Sequence, residues 1–103
     1  MPSRIELLRG FIAQRPSDPF PKYALAMEYK NAGDLAAAWE TFSSLIAAHG
    51  EYVAAYLHAG NTLVALGRRE DARAVYEKGI AACGRVGDGH AQSELMGALA
   101  QLG

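Results

Sequence analysis

Gly60-Asn61-Thr62-Leu63-Val64-Ala65-Leu66-Gly67-Arg68-Arg69-Glu70-Asp71-Ala72-Arg73-Ala74-Val75-Tyr76 reads as the end of one helix, a tight turn on Gly67 and the start of a second helix. Small and apolar residues recur at helical spacing on both sides of a residue suited to the left-handed conformation, so the stretch is a helical hairpin. A like pattern over residues 26–42 turns on Gly33, 34 residues before Gly67. A hairpin that recurs at a fixed period in the range of about 20–50 residues predicts stacked repeats, each contacting its neighbours.

Outward from these hairpins the same periodicity continues. Ser3 followed by Glu6 makes a capping box, and Ile5, Leu8, Phe11 and Ile12 then share one face of a helix running to about Arg15. Pro16-Ser17-Asp18-Pro19-Phe20-Pro21 turns the chain, because each proline removes a backbone donor and restricts the residue before it. A second helix is expected over residues 20–32, with Leu25, Ala26 and Tyr29 inward. Asp34 caps a third, with Ala38, Phe42, Leu45 and Ile46 on its buried face, Trp39 beside them and His49-Gly50 closing it. The pattern restarts at Val53: Tyr56, Ala59, Gly60 and Leu63 face inward before Gly67, and Ala72, Tyr76, Gly79 and Ile80 after it, up to Gly84. Val86-Gly87-Asp88-Gly89-His90 reads as a loop. A last helix from about His90 to Leu102 carries Leu95, Leu99 and Leu102 on one side, its propensity weakened by Gly97. Six helices with no strand alternation predict an all-α array of antiparallel hairpins in one domain, 1–103.

Composition narrows the function. Ten basic residues against eleven acidic ones leave the chain near neutrality. The one dense basic pair, Arg68-Arg69, runs straight into Glu70-Asp71, so no basic stripe is present to track phosphates and no nucleic-acid partner is expected. Cys83 stands alone, which excludes an internal disulfide and fits a reducing, cytoplasmic compartment. No Cys/His spacing suits a metal, no cofactor is implied, and no apolar run approaches the ~18 residues of a membrane span.

Within residues 19–52 the periodic positions hold Lys22, Leu25-Ala26, Tyr29, Ala38, Phe42 and Gly50. Within 53–86 they hold Tyr56, Ala59-Gly60, Leu63, Ala72, Tyr76 and Gly84. This pattern resembles the tetratricopeptide repeat family, with Trp, Leu-Gly and Tyr on the first helix of a unit and Ala, an aromatic and Pro on the second. Departures are Lys22 for the aromatic, Leu45 at a place usually small, and glycine for both terminal prolines. Leu8 falls one period before Phe42 and Ile12 one before Ile46, so residues 1–18 resemble a degenerate half repeat. Residues 87–103 resemble a capping first helix displaced by about two positions, with Leu95, Met96 and Leu99 inward and Gly103 at the turn. Asp18-Pro19-Phe20 and Tyr23-Ala24-Leu25-Ala26 also look like small stand-alone bacterial repeat proteins.

The resemblance implies a right-handed superhelix whose first helices line a concave face. Its groove positions are Tyr23, Met27, Lys30, Leu57, His58, Asn61 and Val64, with Phe20, His90, Ser93 and Glu94 beside them. It further implies a non-catalytic adaptor or scaffold that binds a peptide segment or helix of another protein there. The family's Lys/Asn clamp for a terminal carboxylate is absent, since Tyr23, Met27 and His58 stand in its places, with the negative Glu94 near the last one. Catalysis is not expected: His49, His58 and His90 share no face with a Ser or Cys, and no strand precedes a phosphate-binding loop. The alternative is a self-associating structural module, a homodimer through Leu95, Leu99 and Leu102.

Overall fold

The computed structural model describes residues 2–103 and contains six helices: α1 (Arg4–Gln14), α2 (Pro19–Asn31), α3 (Leu35–Ala48), α4 (Ala54–Ala65), α5 (Arg69–Val86) and α6 (Gly89–Leu102). No strand occurs among the described residues.

Local chemistry sets most helix starts. Ser3 Oγ accepts the Glu6 N–H at 3.2 Å, Asp34 Oδ1 that of Ala37 at 3.1 Å and Asp88 Oδ1 that of Ala91 at 3.0 Å. Each bond satisfies a donor that the first helical turn leaves without an internal partner. Asp18 does the same for Phe20 ahead of a helix that opens on Pro19, where a missing N–H costs nothing.

The two repeating turns are the same object. Gly33 and Gly67 have φ of 86° and 79°, and the next residue's N–H returns to the helix, Asp34 to the Tyr29 carbonyl at 2.9 Å and Arg68 to that of Leu63 at 2.8 Å. This is a Schellman closure, which needs a left-handed residue and therefore favours glycine. A third copy corrects the expected end of α5. Asp88 N–H bonds the Cys83 carbonyl at 3.0 Å around Gly87, so α5 passes through Gly84 and stops at Val86. The expected five-residue loop contracts to Gly87 and Asp88, because Asp88 caps α6 at once.

Successive helices pack as antiparallel neighbours, α1 on α2, α2 on α3, and so on to α5 on α6. The backbones of the first helices α2, α4 and α6 also come close in series, whereas those of α1, α3 and α5 stand farther from one another. The array therefore curves, with α2, α4 and α6 on its inner wall. Close approach within α4–α5 depends on Gly60: a Cβ there would lie 2.6 Å from Tyr76 Cδ1, closer than atoms tolerate.

Leu25, Ala26, Tyr29, Ala38, Phe42, Leu45, Ile46, Tyr56, Ala59, Leu63, Ala72 and Tyr76 are buried where the periodicity places them. Two residues assigned inward are not. Phe11 is 51% exposed because α1 packs closely only on α2, whereas Leu45, one period later on α3 between α2 and α4, is wholly buried. Met96 is 55% exposed, covered by neither α4 nor α5. The apolar face of α6 offered for a homodimer is covered by its own chain. Leu95 is 1% exposed, Leu102 is buried and Leu99 half-buried, packed against α5 and α4. Arg69 donates to the Leu102 carbonyl and Arg73 to that of Gly103 at 2.7 Å, pegging the end of α6. That face acts as a cap, and the structure leaves no open seam through these three leucines.

Candidate functional site

The inner wall contains a cleft of about 370 Å³ where α2, α4 and α6 meet. Tyr23 enters it from α2, Leu57 and His58 from α4, and His90, Glu94 and Leu95 from α6. Residues far apart in the chain meet here because the first helices stack side by side.

Tyr23 is set by its neighbours' rings. Its centroid lies 5.5 Å from Tyr52, 6.1 Å from His58 and 6.5 Å from Phe42, the last two edge-on, an arrangement that aromatic quadrupoles favour. Burial pushes the phenol pKa upward, so the hydroxyl keeps its proton and can donate.

His58 sits between opposing influences. Lys30 Nζ lies 3.5 Å from its Nδ1, and an ammonium only donates, so Nδ1 is the acceptor and Nε2 carries the proton. Burial, and then Lys30, lower the imidazole pKa from its usual 6.5, while Glu94 pulls it upward. His58 is thus a neutral donor at physiological pH. Glu94 Oε1 is also 3.5 Å from His90 Nε2.

A second hollow of about 340 Å³ continues along α4 and α6, lined by Asn61, Val64, Arg69, Tyr76, Ala98 and Gln101 among others. Here Asn61 has a structural task, because its Oδ1 accepts the Tyr76 hydroxyl at 2.6 Å. Its amide NH₂ and the second lone pair of that oxygen are left for a ligand.

The seven groove residues read from the sequence therefore divide. Tyr23, Leu57 and His58 converge on the first cleft, and Lys30 joins them through His58. Asn61 and Val64 line the second. Met27 lines neither and packs, half-buried, on the core. Of the positions beside them, His90 and Glu94 belong to the first cleft, Phe20 is exposed and Ser93 lines neither. The sequence reading missed Asp88, Val53 and Ala91 in the first cleft and Gln101 in the second. Asp88 had a legible signal, an Asp three residues before Ala91 at a helix start, hidden by the misplaced end of α5.

Among the described residues no group of three or more His, Cys, Asp or Glu side chains is disposed to hold a metal ion. Cys83 is 1% exposed, and burial, with Asp88 adding to it, pushes its thiol pKa up, disfavouring the nucleophilic thiolate.

No family model matches the chain, and no curated protein does. Solved structures do. The solution structure of a tetratricopeptide repeat domain protein from Salinibacter ruber matches at 33% identity and a TM-score of 0.80, covering 84% of this chain and 88% of that one. A crystal structure of a tetratricopeptide repeat domain protein from the same organism matches at 33% identity and 0.78, covering 82% and 96%. The chain belongs to the tetratricopeptide repeat family. A Bordetella parapertussis protein, solved in solution, is similar over 99% of this chain and 89% of its own, at 27% identity and a TM-score of 0.82. As a tetratricopeptide repeat protein, the chain is a helical-repeat protein-interaction module. Among the described residues no helix is long and apolar enough to cross a membrane.

Proposed function

We propose that this tetratricopeptide repeat protein is a non-catalytic, cytoplasmic adaptor whose inner wall binds a peptide segment or helix of another protein. Its groove is formed by Tyr23, Lys30, Leu57, His58, Asn61 and Val64, with Met27 supporting from below, and its units run over 19–52 and 53–86. The reading rests on one observation. Three first helices converge on a cleft of about 370 Å³ that combines apolar walls at Leu57 and Leu95 with a phenol, an imidazole and a carboxylate. Apolar anchoring with a few convergent polar groups is how a groove binds a peptide with both affinity and orientation. Near-neutral charge and the lack of a basic stripe favour protein over nucleic acid as the partner.

The test is selection of a random peptide library on the immobilised chain. Selected peptides should bind with Kd in the micromolar range, about −8 kcal/mol, and Tyr23→Ala combined with Leu57→Ala should weaken them at least about tenfold. Peptides indifferent to both substitutions would refute the concave site. With no Lys/Asn clamp in place, a short acidic C-terminal peptide should give no calorimetric signal.

A further inference from the structure

The outer wall carries grooves that the concave reading does not use. Two grooves on it are related by the repeat period. One, between α3 and α5, is lined by Ser43, Ile46, Tyr56, Val75 and Lys78, among others, and measures about 150 Å³. The other, between α1 and α3, is lined by Arg9, Ile12, Lys22, Thr41 and Ser44, each of them 34 positions earlier, together with Leu25 and Glu40. It measures about 300 Å³, twice as much.

The difference lies where Lys22 stands in place of Tyr56. Tyr56 is fully buried, and its hydroxyl donates to the Gly50 carbonyl at 2.5 Å. Lys22 leaves that space open and only reaches Ser44 Oγ at 3.5 Å. The acceptor for a phenol is nevertheless retained. Pro16 stands one period before Gly50, and the backbone leading to each is alike: Arg15 has φ −134°, ψ 69° and His49 has φ −137°, ψ 73°. The following turn matches too, with Asp18 N–H on the Arg15 carbonyl at 3.1 Å and Tyr52 N–H on that of His49 at 3.0 Å. The Pro16 carbonyl thus stands at the Gly50 position of a matching turn, and the tyrosine that would donate to it is replaced by Lys22. Around the opening, Arg9 and Lys22 outnumber Glu40. Arg9 is held in place, bonded to the Tyr29 hydroxyl with its guanidinium 5.9 Å from that ring's centroid.

We propose that this groove receives a tyrosine side chain, flanked by a carboxylate, from a segment of another protein. The phenyl ring rests on Ile12 and Leu25, the hydroxyl donates to the Pro16 carbonyl as Tyr56 does to Gly50, and the neighbouring carboxylate pairs with Lys22. The partner completes from outside what α4 completes from within in the next unit.

The probe is acetyl-Glu-Tyr-Glu-amide titrated into the isotope-labelled full chain and followed by amide shifts. Shifts should centre on Ser17, Lys22, Thr41 and Ser44. Acetyl-Glu-Ala-Glu-amide should produce none. Lys22→Tyr fills the groove from within, so it should raise Tm and weaken the peptide at least about tenfold. Lys22→Glu keeps the groove but reverses its charge, and should weaken the peptide by a similar factor even if Lys22→Tyr proves unfolded. Equal shifts from the alanine peptide, undiminished binding to either variant, no shifts at all, or shifts confined to Leu57 and His58 would overturn the proposal. Because its reporters lie on the opposite wall, failure here leaves the concave reading untouched.

Discussion

His58 shows how one residue's surroundings become a measurable property. Its folded pKa lies below 6.5, held there first by burial and then by Lys30, against the pull of Glu94. Between the folded pKa and 6.5 the unfolded chain binds more protons than the folded one, so stability rises with pH across that window. Acidification from above 6.5 should therefore lower the urea midpoint, and the loss should level off once pH falls beneath the folded value. Lys30→Met should move the imidazole pKa up without restoring 6.5, since the larger cause, burial, remains. Glu94→Gln should move it down. Imidazole NMR titrations of the two variants check both directions, and a pKa that follows neither substitution would remove Lys30 and Glu94 from the account.

At the scale of elements, α6 is a cap whose stability comes from one buried stripe. Leu95 is almost wholly enclosed, meeting the place where Gly79 has no Cβ, while the exposed side of the helix carries Met96 and Gly97. Leu95→Ala should cost about 3 kcal/mol, the transfer of the lost atoms plus the cavity they leave. The loss should be seen in chemical denaturation together with faster amide exchange throughout α6. If stability fell by well under 1 kcal/mol, the packing of α6 on α5 would not be what holds it. The end of α5, just before this helix, differs from the sequence expectation for a local reason. Gly84, Gly87 and Gly89 all offer a helix end, and only Gly87, at φ 75°, takes the left-handed conformation that Asp88 then follows with a cap.

On the scale of the whole molecule, stability is expected to fall away from the centre. In arrays of this kind each element gains its free energy from its neighbours. The backbone of α4 lies close to α2, α3, α5 and α6, whereas that of α1 lies close only to α2 and α1 buries Leu8 alone. Native-state hydrogen exchange should show α1 amides opening at a lower free energy than those of α4, with α4 close to the global value. Uniform protection from α1 to α6 would instead mark a single cooperative unit.

The period, the six helices and most core positions were readable along the chain, since Gly33, Gly67 and the residues around them act within one or two helical turns, although the wholly buried Ala55, Thr62 and Ala82 were not. Those signals are local, carried by backbone conformation and helical spacing. The grouping of side chains from different helices was not readable. Lys30 meets His58 across 28 positions, Tyr76 claims the oxygen of Asn61, and Phe11 is left open while Leu45 is enclosed. Each of these outcomes depends on how one helix is tilted and seated on another. The sequence by itself determined the hairpins and their order, because capping, left-handed glycines and apolar spacing are properties of neighbouring residues. Only the tertiary structure decided which polar tips share a cleft and which are used up inside the fold, because that depends on distances between helices that no spacing along one helix encodes.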